Sequence, residues 1–364
     1  MRALQRVQDQ MVDGQRGAWN RLRSLTAQTG ENFLAADPAA WHDPKNARAA
    51  VIYGLSGGPV RVIRHIARLG TCPEPENRLV EGALAYLDGH DEKAKEILLP
   101  VAAKTLPSAT GGHVAMVQSL LVAKDDPRRA LAFLDQARLL APGTLIEETS
   151  LRRAIVLAEE TGDIEKFATL SGQYLRRFRR SVYAEKFRER FPESVLRLAS
   201  RFDLSRDARL YAVLDTIEAG SRLSLYLRLA RSSLIAGKLE SARIYADKAS
   251  GLAPAGTPAA SRTKLYDAAA LVLKGDVEEG QNRLDGLDGA LLPNPDAELR
   301  SAVSAMAGHI RSPLSPSPGR AEPSPDRTPA MPQEIAGGSA LDLIDRAEKA
   351  MDAARDILQE EARP

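Results

Sequence analysis

The sequence predicts an all-α solenoid of about eight helical hairpins, and three observations carry that reading. First, one thirteen-residue phrase occurs twice, at Ala130–Pro142 (ALAFLDQARLLAP) and Ala242–Pro254 (ARIYADKASGLAP). Ala, an aromatic, Asp, Ala, Leu, Ala and Pro keep their places in both copies. The copies stand 112 residues apart, three times a period of about 37, and self-similarity at such a period marks stacked repeats. Second, turns bearing Gly or Asp recur at 89, 125, 162, 237 and 275, at intervals of 36, 37, 75 and 38 residues. The long interval predicts a further turn near 200, and Ala199–Ser205 supplies it between two apolar-periodic segments. Third, aromatics are only 5% of the chain while Ala, Leu and Arg abound. Small residues without a helix penalty suit closely packed helices better than sheets.

Taken in order, Leu4, Val7 and Met11 have helical spacing and Asp13-Gly14 ends that helix. A second helix carries Trp19, Leu22 and Leu25 to about Thr29. Asp37-Pro38 and Asp43-Pro44 each pair an N-cap with proline at the first helical position. Helices 45–53 and 59–69 follow, then 78–87 with 91–99. Helix 113–123 turns at Asp125-Asp126-Pro127 into the first copy of the phrase, and 146–160 turns into a helix ending near Arg180. Helix 221–236 turns into the second copy, and 261–274 turns into 277–287. At each Gly-bearing turn glycine tolerates the left-handed conformation that ends a helix, and a neighbouring Asp can cap the next.

Within the repeated phrase Ala130 and Ala137 lie two turns apart on one face, as do Ala242 and Ala249. Small residues there admit a neighbouring helix, and Pro142 and Pro254 stop the helix soon after. This Ala, Ala, Pro spacing resembles tetratricopeptide (TPR) repeats. The Trp, Leu-Gly and Tyr of the first helix in that family are poorly kept, so the hairpins are TPR-like. The solenoid covers residues 1–310. Residues 311–337 change abruptly: Pro313–Pro332 holds seven prolines and little apolar content, which predicts a disordered linker. Residues 338–364 carry Leu343, Ile344, Ala347, Met351, Ala354 and Leu358 on one stripe. They read as an amphipathic helix that either folds back on the solenoid end or docks on a partner.

A formal net charge of +2 is too near neutral to imply nucleic acid or a membrane surface. The lone Cys72 excludes an intrachain disulfide and leaves the compartment open. No apolar run reaches membrane-spanning length. The first residues, MRALQRVQDQMVDGQRG, hold no signal-peptide core, so an exported form is expected to start upstream.

Motifs of chemistry are missing. The five histidines have no metal-ligand spacing, and His90 and His113, at or just after turns, read as polar surface residues. Gly237-Lys238 lacks the upstream Gly and the following Ser or Thr of a phosphate loop. Glu147-Glu148 and Glu278-Glu279 suit helix dipoles and form no acid/base dyad. No catalytic, cofactor or metal residue is assigned, and the chain reads as a non-enzyme. The uneven place is YLRRFRRSVY (Tyr174–Tyr183), where Arg176, Arg177, Arg179 and Arg180 interleave with aromatics and Lys186, Arg188 and Arg190 follow. Basic residues at a helix C-terminus complement its dipole. The same set, with Tyr183, is the candidate contact for an acidic protein surface.

The run Arg129–Phe187 reads RALAFLDQARLLAPGTLIEETSLRRAIVLAEETGDIEKFATLSGQYLRRFRRSVYAEKF, and Ala36–Pro59 reads ADPAAWHDPKNARAAVIYGLSGGP. Both resemble MotC, a family of bacterial periplasmic motility proteins of the flagellar motor. The resemblance covers roughly residues 1–310. It implies a non-enzymatic scaffold, exported to the periplasm, that binds the periplasmic part of the stator protein MotB and supports flagellar rotation. The alternatives from other classes are a general cytoplasmic TPR-like adaptor and the helical scaffold of a cell-wall lytic enzyme. The latter lacks any stretch long enough for a catalytic domain.

Overall fold

The structure, a computed structural model, describes residues 2–15 and 17–311. The sequence-read linker and final helix fall on 312–364, outside the described residues apart from Arg311. Among the described residues there is no strand, and eight helical pairs follow one another. They are α1 (Arg2–Val12) with α2 (Ala18–Leu34), α3 (Pro44–Leu55) with α4 (Val60–Leu69), α5 (Glu76–Leu87) with α6 (Asp91–Leu98), and α7 (Ser108–Val122) with α8 (Pro127–Leu140). The second half comprises α9 (Leu145–Thr161) with α10 (Ile164–Arg177), α11 (Ala184–Arg201) with α12 (Ala208–Leu214), α13 (Ala219–Ile235) with α14 (Leu239–Ser250), and α15 (Pro258–Lys274) with α16 (Val277–Asp285). A closing helix, α17 (Asn294–Arg311), caps the series and was not separately legible in the sequence.

Local chemistry sets these boundaries. Asp37 and Asp43 cap as their Asp-Pro pairs predict, accepting from the backbone N–H of Ala39 and Lys45 at 2.8 Å. Asp126, Asp163 and Asp207 cap α8, α10 and α12 in the same way. Such caps contribute about 1 kcal/mol each. Asp276 stands at the N-cap of α16 without that side-chain bond. Gly89, Gly162, Gly237 and Gly275 all have positive φ, so four of the five marked turns end a helix through the left-handed region. At the remaining one, Asp126 and Pro127 start α8 without a glycine.

The repeated phrase forms α8 and α14. Ala130, Ala137, Ala242 and Ala249 are all fully buried, and α8 packs between α7 and α9 as α14 does between α13 and α15. Two large apolar clusters run through the solenoid. One is built around Trp41, Tyr53, Ile63 and Leu79, the other around Phe167, Tyr174, Val195 and Tyr245.

Two features depart from a regular repeat. In the sixth pair the turn near 200 is present, but α11 and α12 do not pack on each other. Instead α12 packs on α10 and α11 on α13. The N-terminal pair is not a simple end cap either: α2 packs on α4 while α1 reaches α9. Leu4 joins the first apolar cluster and Val12 the second. Val7, Met11 and Ala18 form a small third cluster with Val182 and Tyr183.

His113 corrects the sequence reading. It lies buried in α7 rather than at the surface. Nδ1 donates to the Ala109 carbonyl at 2.7 Å, which leaves Nε2 to accept from Ser56 Oγ at 3.0 Å. Helix α7 begins before the apolar periodicity does, so this histidine falls inside it. Burial pushes its imidazole below the ordinary range, opposed by the Ala109 bond. The unfolded chain therefore binds this proton more readily. His113's contribution is full above about pH 6.5, the unfolded value, and declines as pH falls through it toward the folded value. His113→Gln should flatten the fall in urea midpoint between pH 7 and pH 5. Superimposable pH profiles for the two proteins would remove His113 from the account.

Candidate functional site

Helix α9 places Glu147 and Glu148 in its first turn, where the dipole favours them. Both are also buried. Glu148 Oε1 accepts from Tyr174 Oη at 2.8 Å and from Ser181 Oγ at 2.6 Å. Burial raises its carboxyl above the usual range, and the Ser181 and Tyr174 bonds and nearby Arg152 oppose the shift. Glu147 Oε2 accepts from the Gly143 N–H at 2.5 Å and pairs with Arg177 Nη2 at 3.0 Å. The two carboxylates thus tie α10 and the segment after it to the start of α9. Tyr183 is held there too. The Arg152 guanidinium lies 4.3 Å from its ring centroid, and the Trp19 ring meets it edge-on at 5.9 Å.

Beyond this anchor, α9 and α11 stand apart and leave an open groove of about 1530 Å³. The segment before α11 is tied to the N-terminal pair: the Val182 N–H donates to the Met11 carbonyl at 3.1 Å. Ile155, Val156 and Leu157 of α9, Phe187 and Phe191 of α11, Leu120 and Ala123 at the end of α7 and Leu134 of α8 provide the apolar lining. Val156 is 50% exposed. Six basic side chains line the groove against three acidic ones.

Pairing leaves that balance more basic still. Glu159 accepts from Arg197 Nε at 2.5 Å, and Glu193 binds Arg228 at 2.8 Å. Arg201 is spent on the carbonyls of Glu159 and Glu160, at 3.3 and 3.4 Å. Arg153, Lys186 and Arg190 are exposed and make no ion pair or side-chain hydrogen bond among the described residues; of the acids only Glu160 shares that state. Such a groove offers an apolar floor between positive rims. Among the described residues no acidic, His and Cys cluster could hold a metal.

The sequence-read residues divide. Arg176 and Arg177 close α10, and Arg179 and Arg180 follow in the loop, all four exposed. None of the four lines the groove, whereas Tyr183 does. Arg177 pairs with Glu147, the Arg179 carbonyl accepts from Arg188 Nη1 at 3.2 Å, and Arg180 packs its backbone on Gly14. Tyr174 and Phe178 are core. The candidate set left out Arg153, Lys186 and Arg190. A faint signal was present, since Lys186 and Arg190 are one helical turn apart.

The MotC family model, described as chemotaxis protein MotC, matches residues 1–363. That span extends past residue 310, the limit of the resemblance carried by the sequence motifs. The chain is 32% identical over 330 residues to the chemotaxis protein MotC of Rhizobium meliloti (strain 1021), covering 89% of this chain and 74% of that one. No solved structure matches. With the family model spanning nearly every residue and this relative aligned over most of both lengths, the chain belongs to the MotC family.

Proposed function

We propose that this chain is a non-enzymatic periplasmic scaffold that supports flagellar rotation by binding the periplasmic part of the stator protein MotB. Membership of MotC, a motility family, supports a role connected with the flagellar motor. The observation that carries the binding reading is the preformed groove between α9 and α11, with cations left unpaired on both walls. A rigid helical frame holding such a surface suits docking of a protein. In this reading residues 1–310 are the scaffold, 311–337 the linker and 338–364 the C-terminal amphipathic element. No described helix is long and apolar enough to cross a membrane.

A deletion strain should assemble flagella and fail to rotate them; normal swimming would sink the proposal. Arg176, Arg177, Arg179 and Arg180 stand outside the groove as a second basic contact, and in a pull-down with the periplasmic portion of the stator, changing them to Ala should weaken capture roughly tenfold, chiefly through slower association. Unchanged capture would return the four arginines to local duties, Arg177 to its pair with Glu147 and the rest to the dipole of α10.

A further inference from the structure

The groove itself says more about its occupant than the family does. Its volume of about 1530 Å³ exceeds the roughly 300–1,000 Å³ of small-molecule pockets. Its lining runs from Thr149 to Glu160 on α9 and from Tyr183 to Arg201 along α11, hence about 18 and 28 Å. A trough of that length between two helices accepts a third helix, packed ridge into groove. Val156, half exposed beside the Phe187 and Phe191 rings, leaves apolar surface on the floor for such a helix to cover.

Charge specifies the rest. Arg153 stands on the α9 wall, and Lys186 and Arg190 stand one turn apart on the α11 wall. All three are exposed, and none is neutralised by a carboxylate of the described chain. An occupant that presents an apolar stripe to the floor meets a cation on each side of that stripe. Acidic residues on both flanks would pair with them, as flanking charges do beside a coiled-coil seam.

We infer that the groove between α9 and α11 takes an amphipathic helix of a protein partner, with carboxylates along both edges of its apolar stripe. This rests on reading the chain as a protein-binding scaffold and does not require that the partner be the stator.

The test uses the full chain and a fluorescent 18-residue probe peptide with Leu at heptad positions a and d, Glu at e and g, and Ala elsewhere. A second probe carries Lys at e and g. Binding is read by anisotropy for the wild type, for the double variant Lys186→Glu/Arg190→Glu and for Arg153→Glu. These side chains are exposed and bonded to nothing in the described chain, so the fold should persist, as far-UV circular dichroism would check. The Glu peptide should bind the wild type and lose at least about tenfold in affinity to the double variant, and a smaller factor to Arg153→Glu. The Lys peptide should reverse that order. Equal binding of the two peptides, or no loss in either variant, would overturn the inference. So would a concentration-dependent wild-type dimer that the double variant dissolves, since the groove would then belong to a second copy. A parallel pull-down with the stator portion separates the two readings. Stator capture without Glu-peptide binding sinks the groove assignment alone, whereas peptide binding without stator capture supports it and sinks the stator assignment.

Discussion

Gly14→Ala is expected to release the N-terminal helical pair from the middle of the chain. Gly14 has φ +74, and a Cβ built there collides with the carbonyl oxygen of Arg180. The left-handed backbone alone costs an L-residue about 1–2 kcal/mol. The collision is with backbone, which no rotamer change relieves. Together they should destabilise docking on the order of 3 kcal/mol. Undocking would break the Val182 to Met11 bond and uncover the cluster of Val7, Met11 and Ala18. The chain has two tryptophans, and they report on different places. Trp41 is buried in the first large cluster, while Trp19 lies edge-on against Tyr183. A red shift assigned to Trp19 by a Trp41→Phe background, with faster cleavage in the linker between α1 and α2, is the expected outcome. Unaltered emission and an unaltered cleavage pattern would show that the pair tolerates the side chain.

Phe167→Ala should be the most damaging single truncation beneath the groove. Phe167 is fully buried, and its ring lies parallel to that of Phe191, with centroids 5.7 Å apart. It therefore joins α10 to the α11 wall of the groove. Removing a buried phenyl ring costs about 3–5 kcal/mol through lost transfer energy and the cavity left behind. Leu139→Ala is the control: Leu139 is 79% exposed, and such a change should stay within about 0.5 kcal/mol. Urea unfolding followed by both fluorescence and circular dichroism is needed, because stacked repeats can lose all-or-none cooperativity. A Phe167→Ala protein within about 1 kcal/mol of the control would contradict the packing described. Binding of the Glu peptide should weaken as well, since Phe191 loses the ring that steadies it.

What could be read directly was set by local forces. An Asp followed by Pro caps a helix wherever it stands, so Asp37, Asp43 and Asp126 announced their helices. The buried alanines of α8 and α14 were legible because a two-turn spacing on one face survives any tertiary arrangement. His113 was misread because nearness to a turn says nothing about which face of α7 the next hairpins cover. Glu147 and Glu148 were read for the dipole they serve, and only packing showed that they also anchor Tyr174, Ser181 and Arg177. The arginines at 176–180 drew notice because they are adjacent in sequence. Lys186 and Arg190 were noted only as a continuation of that run and Arg153 not at all, because Arg153 is separated from them in sequence and the fold alone puts the three on facing walls.

The amino-acid sequence by itself determined the helical repeat, its period, most helix boundaries and the family. Each depends on interactions spanning at most a few turns, or on strings of residues that can be matched directly. Only the tertiary structure decided that α11 leaves its own partner for α13, that α1 bridges to α9, and that a basic groove opens beside them. The bridge from α1 rests on contacts between segments more than a hundred residues apart, such as Met11 with Val182, and the α11–α13 packing on contacts 35 residues apart, as between Glu193 and Arg228. No periodicity encodes them, because they depend on how successive hairpins turn the chain back upon itself.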